Sequence, residues 1–209
     1  MKNIIIFSDF DGTITTTDTL DYIITDVYSF EVYKEIENKL FMKEITYEMY
    51  LHTMFENLKY DIRKLNYELV DKNFEDFYNF IKSENIDFYI VSSGFKRLIC
   101  YLLPYVNNDI IYSNDINITD DNKWKIKLYY NDKQLSINKN NILNEKKQDN
   151  TVIYIGDGIS DFDVINNVDV LFVKKGSHLH NKCIECSCKY ILFDDFKEIK
   201  KQIKRIIDS

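Results

Sequence analysis

Apolar positions along the chain fall into two patterns. Short β-branched or aromatic runs stand at Ile4–Phe7, Asp87–Val91 and Thr151–Ile155, each followed by a polar cluster that contains glycine. Such runs predict strands buried on both faces of a parallel sheet, and Val170–Val173 predicts a fourth. From about residue 18 to residue 82 the pattern changes. Leu20, Ile23, Ile24 and Val27, then Met49, Met54, Phe55 and Leu58, recur with helical spacing, and no Gly or Pro interrupts them. Several helices in a row are predicted there. Further helices are predicted over Lys96–Leu103, Asn140–Lys147 and Phe196–Ile207. Ile110–Tyr130 alternates about the polar turn Asp120-Asp121-Asn122-Lys123, which predicts a β-hairpin.

Strands alternating with helices predict an α/β fold with a doubly wound, Rossmann-like parallel sheet. The helical block after the first strand far exceeds the roughly 10–12 residues a crossover needs. It therefore reads as an insertion over the sheet. The predicted division is a core of residues 1–16 and 83–209 with a helical cap over 17–82, and the hairpin is a second insertion.

Composition narrows the setting. Of the 209 residues 45% are hydrophobic and 29% charged, a globular balance rather than a disordered one. Thirty-four acids against 27 bases give −7, which argues against a broad nucleic-acid footprint. No apolar run reaches the roughly 20 residues of a membrane span, and the N-terminus lacks the pattern of a signal peptide. A cytoplasmic protein with no membrane partner is expected, its cysteines 100, 183, 186 and 188 as free thiols. Alanine is absent altogether, which reads as coding bias.

Three polar clusters terminate the three buried strands: Asp9-Phe10-Asp11-Gly12-Thr13, Ser92-Ser93-Gly94 and Gly156-Asp157-Gly158-Ile159-Ser160-Asp161. The carboxyl edge of such a sheet is where ligands bind. Carboxylates gathered there repel one another, and Mg²⁺ with its preference for oxygen relieves that cost. Ser and Gly at a strand-to-helix turn supply donors to a phosphate. A lysine adds a point charge. With those parts in place Asp9 can attack phosphorus, and Asp11 can protonate the leaving oxygen and later deprotonate water.

DxDGT after the first strand, S-x-G after the second, a lysine and then GDGxSD resemble the haloacid-dehalogenase-like hydrolase superfamily. The motifs occur in order from residue 9 to residue 161. The helical block resembles the type I cap of its phosphoserine-phosphatase-like members. The resemblance implies a phosphatase, with Asp9 as nucleophile and metal ligand. Asp11 would be the general acid/base, its carbonyl also on the metal, and Asp157 a further metal ligand. Thr13, Ser92, Ser93 and Gly94 would serve the motif turn and the phosphate. Lys139, opening the helix before the third strand, is implied as the motif lysine; Lys146 and Lys147 compete but fall late in that helix. Asp161 would hold metal waters or Lys139, with Ser160 beside it. Asp18 falls where relatives place a substrate-facing acid, and it reads equally well as a helix N-cap.

Plainer readings exist for each feature. Asp and Gly favour turns, but three clusters on three strands are hard to assign to turn chemistry. An EF-hand loop would put its first ligand on Phe7. His178, His180, Cys183, Cys186 and Cys188 crowd together without a standard zinc spacing, and read as a surface loop with reduced thiols. The cap aromatics Tyr22, Tyr28, Tyr47, Tyr50 and Phe55 read mostly as packing, with one or two left to line a pocket. The substrate is expected to be a small phosphomonoester. Phosphoserine, the alternative, is disfavoured because the position of the family's carboxylate-binding arginine falls on Met54, near His52. The hairpin with Trp124 makes the chain look closest to the methionine-salvage phosphatases of 2-hydroxy-3-keto-5-methylthiopentenyl phosphate. It lacks their cysteine-rich segment, reading Gln134-Leu135-Ser136-Ile137-Asn138 there. A catalytically weak phosphate-binding protein would be expected to lose Asp9 or Asp11; a signalling receiver would lack the cap.

Overall fold

The three isoleucines and the phenylalanine of β1 (Ile4–Ser8) alternate between two apolar layers, so the strand must be covered on both faces. The computed structural model, which describes residues 3–129 and 137–208, places β1 at the centre of one sheet. Its other strands are β2 (Asp87–Phe95), β3 (Ile111–Ile118), β4 (Trp124–Lys127), β5 (Thr151–Gly156), β6 (Val170–Lys174) and β7 (Ile191–Phe193). The order is β4-β3-β2-β1-β5-β6-β7. All pairs are parallel except β3 with β4, the predicted hairpin. The chain runs outward from β1 through β2 and β3, then returns to β5 on the other side. The switch in direction lies between β1 and β5.

One face carries α6 (Lys139–Lys146), a 3-10 helix (Ile159–Asn167) and α7 (His178–Cys186), which bury Ile142, Leu143, Val164 and Leu179 on Ile5, Phe7 and Tyr154. The other carries α4 (Phe74–Ser83), α5 (Lys96–Leu102) and α8 (Phe196–Ile207). Phe196 meets Phe74 and Phe77 at ring separations of 5.0 Å each.

The block between β1 and α4 contains α1 (Thr19–Val27), α2 (Phe30–Phe41) and α3 (Tyr47–Phe55). With no Gly or Pro, it is punctuated by side chains. Asp18, Ser29 and Thr46 accept backbone N–H groups at the three helix starts. Lys43 and Asn57, beyond α2 and α3, take left-handed φ values of 58° and 63°, the conformation usually left to glycine. The hairpin docks on this block: Trp124 is fully buried, stacks on Phe55 and donates its indole N–H to the Tyr60 carbonyl at 3.0 Å. The strands leaving and re-entering the sheet layer pair with each other, through a bridge between Thr15 and Val70 and the bond Thr16 N–H to Leu69 carbonyl at 2.7 Å. The chain rejoins the sheet layer near Asp71, so α4, which the sequence pattern grouped with the cap, packs on α8 and β2.

One sequence expectation is corrected. The His/Cys tract is not a surface loop throughout: His178–Cys186 forms α7 between β6 and β7, and Cys188 follows it. Ser177 caps the helix through the His180 N–H, and Leu179 and Cys183, one turn apart, are buried in the core. Gln134–Ser136 of the segment compared with the methionine-salvage enzymes lies outside the described residues, and so do Met1, Lys2 and Tyr130; Ile137 is buried and Asn138 caps α6. No helix among the described residues is long and apolar enough to cross a membrane.

Candidate active site

The carboxyl ends of β1 and β5 meet at the switch in strand order. Asp9 is the first residue past β1, and its N–H still bonds the Ile155 carbonyl at 2.9 Å. Its side chain turns back into the fold. Oδ1 accepts the Phe10 N–H at 2.6 Å and Oδ2 accepts the Lys139 ammonium at 2.7 Å. The turn that follows needs Gly12, whose φ of 74° is left-handed and whose missing Cβ would collide with the Asp157 carboxylate. Thr13, fully buried, donates its hydroxyl to Asp157 Oδ1 at 2.5 Å. That threonine therefore holds a carboxylate of the third cluster to the turn of the first.

Lys139 opens α6 and is 3% exposed, which for a lysine requires paired charge. It bridges Asp9 Oδ2 and Asp161 Oδ1, the latter at 2.6 Å. Asp161 is completely buried and fully used: Tyr154 OH also donates to Oδ1, while the Asp157 and Gly158 N–H groups donate to Oδ2 at 2.9 Å each. Gly156 leaves the space these bonds occupy, since a Cβ there would meet Asp161 Oδ2 at 2.5 Å. Lys146 instead lies over the Tyr112 ring and pairs with Glu145, away from this cluster.

The third wall comes from β2. Its register with β3 slips between Ser92 and Phe95, so Ser93 and Gly94 bulge at the strand end. Ser92 Oγ accepts the Gly94 N–H at 2.9 Å and donates to Asp11 Oδ2 at 3.2 Å. A Cβ on Gly94 would meet that same carboxylate oxygen at 2.5 Å. Asp11 Oδ1 is held by Thr19, which donates both its N–H and its hydroxyl. Asp18 beside it accepts from the Leu20 and Asp21 N–H groups at the start of α1. Ser160 sits on the 3-10 turn, its Oγ 3.6 Å from where a Cβ on Gly158 would stand.

Burial pushes the Asp9 carboxyl well above the usual range; the charges of Asp161 and Asp157 push it further, and Lys139 opposes them. Burial likewise raises Asp11, against the hydrogen bonds from Thr19 and Ser92. Asp157 is pushed up to about 7 by burial and then by Asp161. Burial works to lower the Lys139 value, but Asp161 and Asp9 outweigh it and hold the ammonium above its ordinary range. Asp9, Asp157 and Asp161 each bring a carboxylate oxygen within 4.8 Å of the others. Such hard, mutually repelling oxygens suit a divalent cation such as Mg²⁺.

The structure thus brings Asp9, Asp11, Thr13, Ser92, Gly94, Lys139, Asp157 and Asp161 to one end of the sheet. Three participants carried no clear signal in the sequence. Tyr154 sits inside the apolar run of β5 and reads as core there. Thr19 reads as an ordinary first-turn residue. Tyr47 of α3, one of five aromatics read mostly as packing with one or two left to line a pocket, reaches across to donate its hydroxyl to the Ser93 carbonyl at 3.4 Å. His52 is outside this constellation, 3.8 Å from Glu56, and Met54 is buried in the core.

Comparison with known proteins agrees with the geometry. The chain is 31% identical to the Pdp3-interacting factor 1 of Schizosaccharomyces pombe, across 100% of this chain and 98% of that protein. It is 29% identical to a polyol phosphate phosphatase of Saccharomyces cerevisiae, over 99% and 95% of the two chains. It is 26% identical to the 2-hydroxy-3-keto-5-methylthiopentenyl-1-phosphate phosphatase of Bacillus cereus, over 97% of each. The same fold occurs in a phosphoserine phosphohydrolase-like protein from Francisella tularensis, at a TM-score of 0.73 and 21% identity over 97% of this chain and 100% of that one. Residues 6–165, which hold all three strand-end clusters, match the haloacid dehalogenase-like hydrolase model, and the chain belongs to that family.

Proposed function

We propose that the chain is a Mg²⁺-dependent phosphomonoester hydrolase that works through an aspartyl-phosphate on Asp9. The observation that carries this reading is the fixed Asp9 carboxylate, clamped by the Phe10 N–H and the Lys139 ammonium opposite the Ser92–Gly94 bulge. In the first step Asp9 attacks phosphorus and the ester P–O bond breaks. Asp11, held raised by burial, delivers the proton to the departing alkoxide. In the second step Asp11 takes a proton from water, water attacks phosphorus, and the P–O bond to Asp9 breaks to release phosphate. Lys139 and the donors of the Ser92-Ser93-Gly94 segment stabilise the charge spread over the phosphoryl oxygens. Asp9 and Asp157 would hold Mg²⁺ beside the Asp11 carbonyl, and the ion would neutralise phosphoryl charge when bound.

We assign residues 16–70 to a cap over this site, because both passages to the core meet at the Thr15–Val70 bridge. A lid of that kind favours small substrates. Met54, buried at the position where the family's carboxylate-binding arginine is expected, supports something other than phosphoserine. Phosphate release from a panel of small phosphomonoesters should require Mg²⁺ and stop with EDTA. Release that persists in excess EDTA would refute the metal, and no release from any ester would refute the hydrolase reading.

Metal binding should also be visible without turnover. A carboxyl raised to about 7, as Asp157 is, stabilises the fold at acid pH and loses that contribution as pH rises through 7. Asp9 and Asp11 shift in the same direction. The metal-free protein should therefore melt at progressively lower temperature from about pH 4 to pH 8. Mg²⁺ binds the deprotonated ligands, so it should raise the melting temperature more at pH 8 than at pH 5. Equal shifts at both pH values would count against Asp157 as a ligand.

A further inference from the structure

Where β2 slips against β3, two residues of β2 lose their ladder partners. Ser92 stands opposite Ser113 and Phe95 opposite the next residue, Asn114, so Ser93 and Gly94 face no residue of their own on β3. A carbonyl stranded inside the fold must find a donor elsewhere. The completely buried side chain of Asn114 supplies one: its Nδ2 donates to the Ser93 carbonyl at 2.8 Å. The other end of the same amide, Oδ1, accepts the Tyr129 N–H at 3.1 Å, just past β4. One partner only accepts and the other only donates, so the amide sits one way round. The Tyr47 hydroxyl adds a longer contact to the same carbonyl, at 3.4 Å.

The Ser93 carbonyl and the Gly94 N–H belong to one trans peptide unit, in which they point in opposite directions. Holding the carbonyl toward β3 therefore turns the Gly94 N–H the other way, onto Ser92 Oγ at 2.9 Å, and that hydroxyl donates to Asp11 Oδ2 at 3.2 Å. A line of hydrogen bonds thus runs from the exit of the hairpin, through Asn114 and the Ser93–Gly94 peptide, to Asp11. Each donor in such a line is polarised by the bond behind it. Resting on the hydrolase reading above, we propose that Asn114 is a positioning residue of the phosphate site: it fixes the peptide plane whose N–H meets a phosphoryl oxygen. Asn114 itself touches neither substrate nor metal and acts through Ser93 and Gly94. A peptide released from it is able to turn its carbonyl toward the site, where that dipole repels a phosphate dianion.

Two variants test this. Asn114→Asp keeps size and shape and still accepts from Tyr129, but sets a carboxylate oxygen against the Ser93 carbonyl. Asn114→Ser removes the donor without adding charge, its hydroxyl stopping one bond short. Both should weaken binding of inorganic phosphate, titrated calorimetrically with Mg²⁺ present, by about tenfold or more. Asn117→Asp, at an exposed position of the same strand, controls for charge and should leave that affinity within about twofold. A merely structural Asn114 would lower the melting temperature and leave the phosphate affinity of the folded protein unchanged. An unchanged affinity in the Asn114→Ser protein would overturn the proposal, since a loss in Asn114→Asp alone is then charge repulsion. The unaltered protein gives a second reading by NMR. Its Gly94 amide resonance should move on titration with inorganic phosphate, and a resonance that stays in place would overturn the proposal whether or not the variants fold. Phosphate bound in this Asn114-dependent way by a protein that hydrolyses no ester would refute the hydrolase reading alone. Esters hydrolysed at the wild-type kcat/KM by both Asn114 variants would refute the positioning role alone.

Discussion

Replacing Asp9 by asparagine should lower turnover by about four orders of magnitude or more while the protein stays folded. The proposed nucleophile is lost, but volume and shape are nearly kept. The structure sets the limits of that neutrality. Asp9 accepts on both oxygens, from Phe10 and from Lys139, and an asparagine can accept on one only. The unmatched donor costs stability, while losing one of three crowded carboxylates returns some, since Asp157 and Asp161 raise the Asp9 value by repulsion. The two changes oppose each other, so the net change in unfolding free energy should stay within about 1–2 kcal/mol. Phosphate release with a thermal melt checks both halves. Mass spectrometry should find no phosphorylated protein after incubation with substrate. A variant that kept most of its activity would remove Asp9 from the reaction.

Replacing Lys139 by methionine should be the most damaging single change to the fold. Its ammonium is the shared counter-charge of Asp9 and Asp161, and all three are buried. Removing one partner from a buried ion network leaves charge without compensation, at a cost of about 3–5 kcal/mol. Urea unfolding at pH 7 should show a loss of that order, with hydrolysis lost too. The sign of its pH dependence is diagnostic. Without the lysine the Asp9 carboxyl, already raised by burial and neighbouring acids, loses the charge that opposes that rise, and protonation relieves it, so the deficit should narrow as pH falls toward 5. Lys146→Met, on the surface over Tyr112, supplies the control and should change stability by less than about 0.5 kcal/mol. Similar losses from the two substitutions would mean that the Lys139 network does not hold this end of the sheet together.

Much of this architecture could be read from the chain, and the places where reading failed have physical causes. β1 and β5 announce themselves because a strand buried on both faces needs an unbroken apolar run. α8 is legible to the residue because its apolar stripe is bounded by an Asp195 cap and ends in isoleucines. β7 is only three residues long, with one half-exposed leucine, too short to carry any period. α7 hides because its buried positions are filled by Leu179 and Cys183 amid histidines and other cysteines, a composition that draws attention to metal chemistry instead. The end of the helical block was equally obscure. α4 has the same amphipathic grammar as the helices before it, and only the partners of Phe74 and Phe77 set it against α8 and β2. At the site, the strand-end clusters were visible because acids crowded after apolar runs are rare. Tyr154 and Tyr47 were not, since a tyrosine inside an apolar pattern looks the same whether its hydroxyl is idle or holds Asp161 or Ser93 in place.

The bridge between Thr15 and Val70 has a consequence for how such a chain can be assembled and altered. Because the segment between them leaves and returns at adjoining backbone positions, its chain connectivity is that of a closed loop, held to the sheet besides by Phe55 on Phe95 and Trp124. Loop-closure entropy rises with the logarithm of loop length, so doubling or halving the segment would change that cost by only about 0.6 kcal/mol. Chain entropy thus sets little limit on how much chain is inserted there. A segment of different length or sequence could be exchanged at this junction without renegotiating the strand order beneath it, provided that its ends still pair and it still covers Phe95 and Trp124.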